Sequence, residues 1–166
     1  DKLKSIVDAL NFIHHNVEKV LMPLHPRTSK LLLENKIDLQ VNVIEPVGYF
    51  ESLWLLDNCQ LLLTDSGGMQ KEAYFFGKPC VTMREETEWS ELIDLGVNRL
   101  AGSDFERIVG CVNDLLDSHV DSDGQLYGGG AAASRMPSPV STNKYTLRLS
   151  PDLKDLSGAS WAALGH

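Results

Sequence analysis

Residues 64 to 74, T-D-S-G-G-M-Q-K-E-A-Y, carry the residue types in this sequence best suited to gripping an anion. Ser66 is a strong helix N-cap residue, and Gly67 and Gly68 put no Cβ in the way of the amides that follow. The first N–H groups of a helix have no acceptor inside it, so at such a turn they can close on a phosphate. Glu72 cannot itself favour a phosphate, yet a carboxylate beside a phosphate cradle is well placed to accept hydrogen bonds from sugar hydroxyls. Together the two features point to a nucleoside diphosphate. The same spacing also suits a plain capped loop between a strand and a helix. It is neither the dinucleotide fingerprint nor a Walker loop, because the third glycine and the Gly-Lys-Ser/Thr are missing.

The neighbouring residues define the elements that must hold this turn. Leu61-Leu62-Leu63 is an unbroken apolar run, and Met69, Ala73 and Phe76 recur at helical spacing, so the predicted setting is strand, tight turn, helix. In open α/β sheets ligands lie outside the carboxyl ends of the strands, and three further loops are predicted at that edge. The strand Val20 to Met22 leads into residues 23–28, P-L-H-P-R-T, where His25 and Arg27 are either site residues or ordinary exposed loop. The strand Val41 to Ile44 leads into Glu45 to Tyr49, and Tyr49 with Phe50 could stack on a base or serve as a hydrophobic staple. The strand Cys80 to Met83 leads into residues 84–89, R-E-E-T-E-W, in which Arg84 is either a phosphate fork or the partner of Glu85, Glu86 or Glu88.

Between these strands lie helical patterns. Leu3, Ile6, Val7, Leu10 and Ile13 put one apolar face on residues 2–17, and an opening inside an element leads us to expect a preceding segment. Further helices are predicted at Ser29 to Asn35, at Phe50 to Leu56, from Thr87 or Glu88 to Leu95 with Gly96 closing it, and at Asp104 to Leu116. Gly77 reads as the residue just past the central helix, with Pro79 as its stop. Strict alternation over about five strands, the last at Asn98 to Leu100, predicts an α/β fold: a Rossmann-like parallel sheet with helices on both faces. Residues 1–120 form that domain. Residues 121–166 are Gly, Ala, Ser and Pro rich at first and show no sustained period later, with Trp161 the one large anchor, so a loosely ordered tail is expected there.

Composition narrows the partners. A chain of 166 residues with 43% hydrophobic and 23% charged residues is ordinary for a globular domain with a real core. A net charge of −8 and the lack of any basic run argue against nucleic acid, so phosphate binding must be local. Cys59, Cys80 and Cys111 sit in apolar segments without metal-ligand spacing and read as buried free thiols, which fits a reducing cytoplasm. No signal peptide and no apolar run of about 18 residues call for a membrane.

Three quoted segments carry a resemblance. P-L-H-P-R-T, I-E-P-V-G-Y-F-E-S-L-W-L-L and T-D-S-G-G-M-Q-K-E-A-Y-F-F-G-K-P-C-V-T-M-R-E-E-T-E-W-S-E-L together resemble the C-terminal domain of the non-hydrolysing UDP-N-acetylglucosamine 2-epimerases, over residues 2 to about 135. The resemblance implies the C-terminal half of a two-domain fold like that of the GT-B glycosyltransferases, with a UDP-sugar in the cleft between halves. It implies Ser66 and Gly68 on the diphosphate, with Gly67 in the same turn, and Glu72 on the uridine ribose. Val47 to Tyr49 would lie near uracil, His25 would face the cleft, and Arg84 would open the next cleft loop. The implied reaction inverts C2 of the sugar through elimination and re-addition of UDP, without metal or nicotinamide, and the family's dimers make a homodimer an expectation.

The chain departs from the family pattern at named places. Trp89 stands where many members carry an arginine, which removes one expected phosphate contact. Tyr127-Gly128-Gly129-Gly130 replaces a Y-G-D-G, and after Arg135 the resemblance stops. The family's N-terminal domain, which supplies the acids expected to move the C2 proton, has no counterpart in these residues, so this UDP-binding half is expected not to turn over substrate alone. A GT-B glycosyltransferase and a non-catalytic UDP-sugar-binding module are the competing readings.

Overall fold

The computed structural model describes residues 2–118, 120, 126 and 147–149. In chain order the elements are α1 (Lys2–Asn16), β1 (Val20–Pro23), α2 (Pro26–Glu34), β2 (Asn42–Ile44), α3 (Tyr49–Asp57), β3 (Leu61–Thr64), α4 (Gly67–Phe75), β4 (Cys80–Thr82), α5 (Ser90–Asp94), β5 (Asn98–Leu100), α6 (Phe105–Leu115) and β6 (Leu147–Leu149). The strands pair in parallel throughout, in the order β2-β1-β6-β3-β4-β5.

The central strand shows why helices cover both faces. Side chains alternate along a strand, so Leu61 and Leu63 enter one core with Ile6, Leu10 and Ile13 of α1 and Ile108, Val112 and Leu115 of α6. Leu62 points the other way, against Leu56 of α3, Ala73 of α4, Cys59 and Cys80. All three leucines are fully buried. Each such side chain contributes about 2 kcal/mol relative to exposure, which is why an unbroken apolar run is stable only in a sheet covered on two sides.

Local chemistry sets the element ends. Asp104 caps α6 by accepting from the Arg107 amide at 2.9 Å. Phe76 is the C-cap of α4, and Gly77 follows with φ 65°, a backbone state that glycine reaches without penalty.

Several boundaries differ from those predicted. Helix α2 starts at Pro26, three residues ahead of Ser29: the His25 ring caps it and Pro26 fits its first turn, so half of the expected loop is helical. Helix α5 starts at Ser90 and not at Thr87 or Glu88; the Thr87 hydroxyl accepts from the Trp89 amide at 3.2 Å and donates to Gln70 at 2.6 Å, which holds the residues before the helix in a turn.

The sheet holds six strands instead of about five. Leu147–Leu149 lies at its centre, between β1 and β3, so these three residues of the expected loose tail belong to the domain. A strand of three residues is too short to display a period, and its place is fixed by its neighbours and not by its own pattern. The rest of that expectation, with Tyr127 to Gly130, Arg135 and Trp161, lies outside the described residues.

Cys59 and Cys80 are buried free thiols, and Cys111 is partly buried. Complete burial pushes the Cys80 thiol up to about 12, the Thr82 hydroxyl opposing and the nearby Cys59 adding to the effect. Among the described residues no helix is long and apolar enough to cross a membrane, and no His, Cys, Asp and Glu cluster could hold a metal ion.

Candidate functional site

Because every strand is parallel, the loops after β1, β2, β3 and β4 share one edge of the sheet. The loop after β3 is the tightest. The Ser66 amide donates to the Thr64 hydroxyl at 3.0 Å, and the Ser66 hydroxyl accepts from the Met69 amide at 3.5 Å, at the long limit of a hydrogen bond. As the first two residues of α4, Gly67 and Gly68 have amides with no acceptor inside the helix. A Cβ built on Gly68 would meet nothing within 4 Å, so open space stands in front of it.

Gly67 faces the loop after β4. A Cβ there would collide with the Glu88 carboxylate and would stand 3.7 Å from Nη1 of Arg84. Arg84 pairs with Glu88 at 3.2 Å, directly beside the α4 mouth. Trp89 belongs to the same corner: its indole N–H donates to the Gly67 carbonyl at 2.9 Å, and the Lys71 ammonium lies 3.5 Å from the centre of its ring.

Gln70 ties the corner together from below. It is buried, and its carbonyl oxygen accepts from the Thr87 hydroxyl at 2.6 Å and from the Asn98 amide at 2.9 Å. Its amide nitrogen donates to the Ser66 carbonyl at 3.3 Å. The Asn98 oxygen in turn accepts from the buried Thr82 hydroxyl at 2.9 Å. Two loops, helix α4 and two strands are thus held by one chain of hydrogen bonds, as buried polar groups require.

The remaining candidates fall in two groups. Tyr49 begins α3 and Glu72 lies within α4; the phenol's hydrogen bond to that carboxylate, followed by burial and the carboxylate's charge, holds the Tyr49 pKa above its ordinary value. Val47 lies one residue before Gly48, the N-cap of that helix. His25 and Arg27 sit apart from the α4 mouth, at the end of β1, with β6 between β1 and β3. The His25 Nδ1 accepts from the Arg27 amide at 3.2 Å, so the ring caps α2, and both residues are exposed.

Residues 1–140 match the family model for UDP-N-acetylglucosamine 2-epimerase. The chain belongs to this family. Among UDP-N-acetylglucosamine 2-epimerases and their kin, a UDP-2,3-diacetamido-2,3-dideoxy-D-glucuronate 2-epimerase of Pseudomonas aeruginosa is 54% identical over 135 residues, covering 81% of this chain and 38% of the relative. A UDP-N-acetylglucosamine 2-epimerase of Methanococcus maripaludis is 46% identical over 124 residues, 70% of this chain and 34% of the relative. The Methanocaldococcus jannaschii UDP-GlcNAc 2-epimerase, solved in complex with UDP-GlcNAc and UDP, superposes with a TM-score of 0.66 at 36% identity, over 72% of this chain and 35% of that one. The chain therefore spans little more than a third of the length of these relatives.

Within this member of the epimerase family, Gln70, Thr87 and Asn98 are site-supporting residues that sequence reasoning missed. Their partners are 17 and 28 residues apart, and nothing in local spacing announces such a bond.

Proposed function

We propose that this chain is the UDP-binding part of an epimerase that inverts C2 of a UDP-linked 2-acetamido sugar, by elimination and re-addition of UDP. One observation carries the reading: the N-terminus of α4 presents two glycine amides, with open space in front of Gly68, while Glu72 sits in the same helix. UDP is the leaving group of this reaction. Its charge grows as the C1–O bond breaks, and preorganised amide donors favour the state in which that charge is largest. In this reading Ser66, Gly67 and Gly68 hold the diphosphate, Glu72 grips the ribose, and Val47 and Tyr49 border the uracil. His25, Arg27 and Arg84 line the side facing the rest of the protein.

Proton transfer at C2 needs an acid and a base near the sugar, and these come from the part of the protein outside this chain. Calorimetry with UDP tests the binding half of the proposal. Binding that Ser66→Asp and Glu72→Ala each abolish supports it, and a chain that binds no UDP refutes it. Turnover by the isolated chain at the rate of the whole enzyme would refute the division of labour.

The sugar has a second reading. The 54% identity to the Pseudomonas aeruginosa relative favours a UDP-2,3-diacetamido-2,3-dideoxyuronate over UDP-N-acetylglucosamine. Assaying the whole protein on both sugars decides between them. A homodimer is part of the proposal, and analytical ultracentrifugation is its test.

A further inference from the structure

We infer that Gln70 and Trp89 are positioning residues that strengthen the two amides facing the diphosphate, each by donating a hydrogen bond to the far side of one peptide group; the inference rests on the reading of this site as a UDP site. The geometry is paired. The Gly67 N–H belongs to the peptide whose carbonyl is that of Ser66, and this carbonyl receives the Gln70 side-chain amide at 3.3 Å. The Gly68 N–H belongs to the peptide whose carbonyl is that of Gly67, and this one receives the Trp89 indole N–H at 2.9 Å. A hydrogen bond accepted by a peptide carbonyl polarises the whole unit and makes its N–H the better donor. Two successive peptides are each polarised outward, toward the place the phosphates take.

The side chains that do this have little freedom to do otherwise. Gln70 has both acceptor contacts filled, by Thr87 and by Asn98, so its amide orientation is set and its nitrogen must face Ser66. The donors run in one direction, from the Thr82 hydroxyl to Asn98, from Asn98 to Gln70 and from Gln70 to the phosphate turn. Trp89 is packed under the Lys71 ammonium, which holds the ring while its N–H points at Gly67. A merely structural role would explain a buried glutamine, but it would not explain why both donors end on consecutive peptides of the phosphate turn.

Two variants separate the roles. Trp89→Phe keeps an aromatic ring for Lys71 and removes the N–H together with part of the indole. Gln70→Glu keeps both accepted bonds and removes the donor to Ser66. In the full chain with ¹⁵N-labelled glycine, Trp89→Phe should move the Gly68 nitrogen resonance and leave Gly67 in place, and Gln70→Glu should do the reverse. Each should weaken UDP about five- to tenfold, the size expected for losing one hydrogen bond's support, with uridine affinity unchanged within about twofold. The inference is overturned if Trp89→Phe leaves the Gly68 resonance unmoved, or if UDP and uridine weaken equally. Gln70 is buried and its variant can unfold, so Trp89→Phe decides alone if it does. A wild-type chain that binds no UDP refutes the proposed function, whereas wild-type binding with an unchanged Trp89→Phe refutes only this inference.

Discussion

Tyr49, the first residue of α3, is coupled to Glu72 inside α4: the carboxylate holds the phenol's pKa above its ordinary value, through hydrogen bonding first and its charge after. The coupling joins the loop after an edge strand to the helix after a central one, β2 and β3 being separated by β1 and β6. It also fixes where that carboxylate is held, beside the exposed ring that the proposed site sets against uracil.

Tyr49 should therefore titrate above its ordinary 10.0. The hydrogen bond to Glu72 is the largest cause, ahead of burial and of the carboxylate's charge. A folded-state value above the unfolded one means that the interaction is intact below about pH 10 and is lost as pH rises through the folded value. Ultraviolet titration of the wild type minus that of Tyr49→Phe isolates the one phenol. Glu72→Gln should lower its midpoint, and no change there would show that the two side chains do not meet in solution.

Gly67 and Gly68 should respond in opposite ways to a methyl group. Gly68→Ala has open space and gains helix propensity, so stability should hold or rise by up to about 1 kcal/mol while UDP affinity falls at least tenfold. Gly67→Ala must push Glu88 aside, which costs roughly 1 kcal/mol and loosens Arg84. Thermal melts alongside calorimetry read both effects; a Gly68→Ala chain that binds UDP normally would show that the open space is not where the phosphates go.

Glu88→Gln should tighten UDP binding. The substitution removes a negative charge beside the α4 mouth and releases Arg84 from its ion pair. Glu88 is about half exposed, so the pair contributes only about 0–1 kcal/mol and the fold should melt at nearly the same temperature. Weaker binding in low salt would mean that Arg84 needs its partner to be held in place.

His14 should make the fold sensitive to mild acid. Burial, then Lys19, then His15 lowers its pKa from 6.5, and its Nδ1 accepts the Val20 amide at 3.1 Å. A base whose folded value is depressed contributes stability that is present above the unfolded value and is lost as pH falls from about 6.5 toward the folded value. The melting temperature should drop between pH 7 and pH 5, and His14→Gln should flatten that drop. Parallel curves for the two chains would place the acid sensitivity elsewhere.

Much of this arrangement was legible in the sequence because it is local. Ser66, Gly77 and Asp104 do at helix ends what their side chains dictate, and the run Leu61 to Leu63 could only be a strand covered on both sides. The start of α2 is not legible in the sequence, because Pro26 suits a loop and a first helical turn equally well. Trp89 read as a lost contact, since the Gly67 carbonyl it reaches lies 22 residues away. The Gln70 network was invisible for the same reason: the choice of Asn98 and Thr87 as partners belongs to the sheet and not to any segment. Arg84 could be assigned to its ion pair only once Glu88 was placed in space.

The position of β6 bears on how the chain reaches this state. Val20 and Leu61 both lie opposite Leu147, so the two halves of the sheet share no ladder until that late segment arrives. During synthesis α1 to α6 leave the ribosome first, with the middle of the sheet unzipped and two strand edges bare. Closing that seam requires a long-range parallel pairing, which forms slowly and leaves the nascent chain dependent on whatever shields those edges in the meantime.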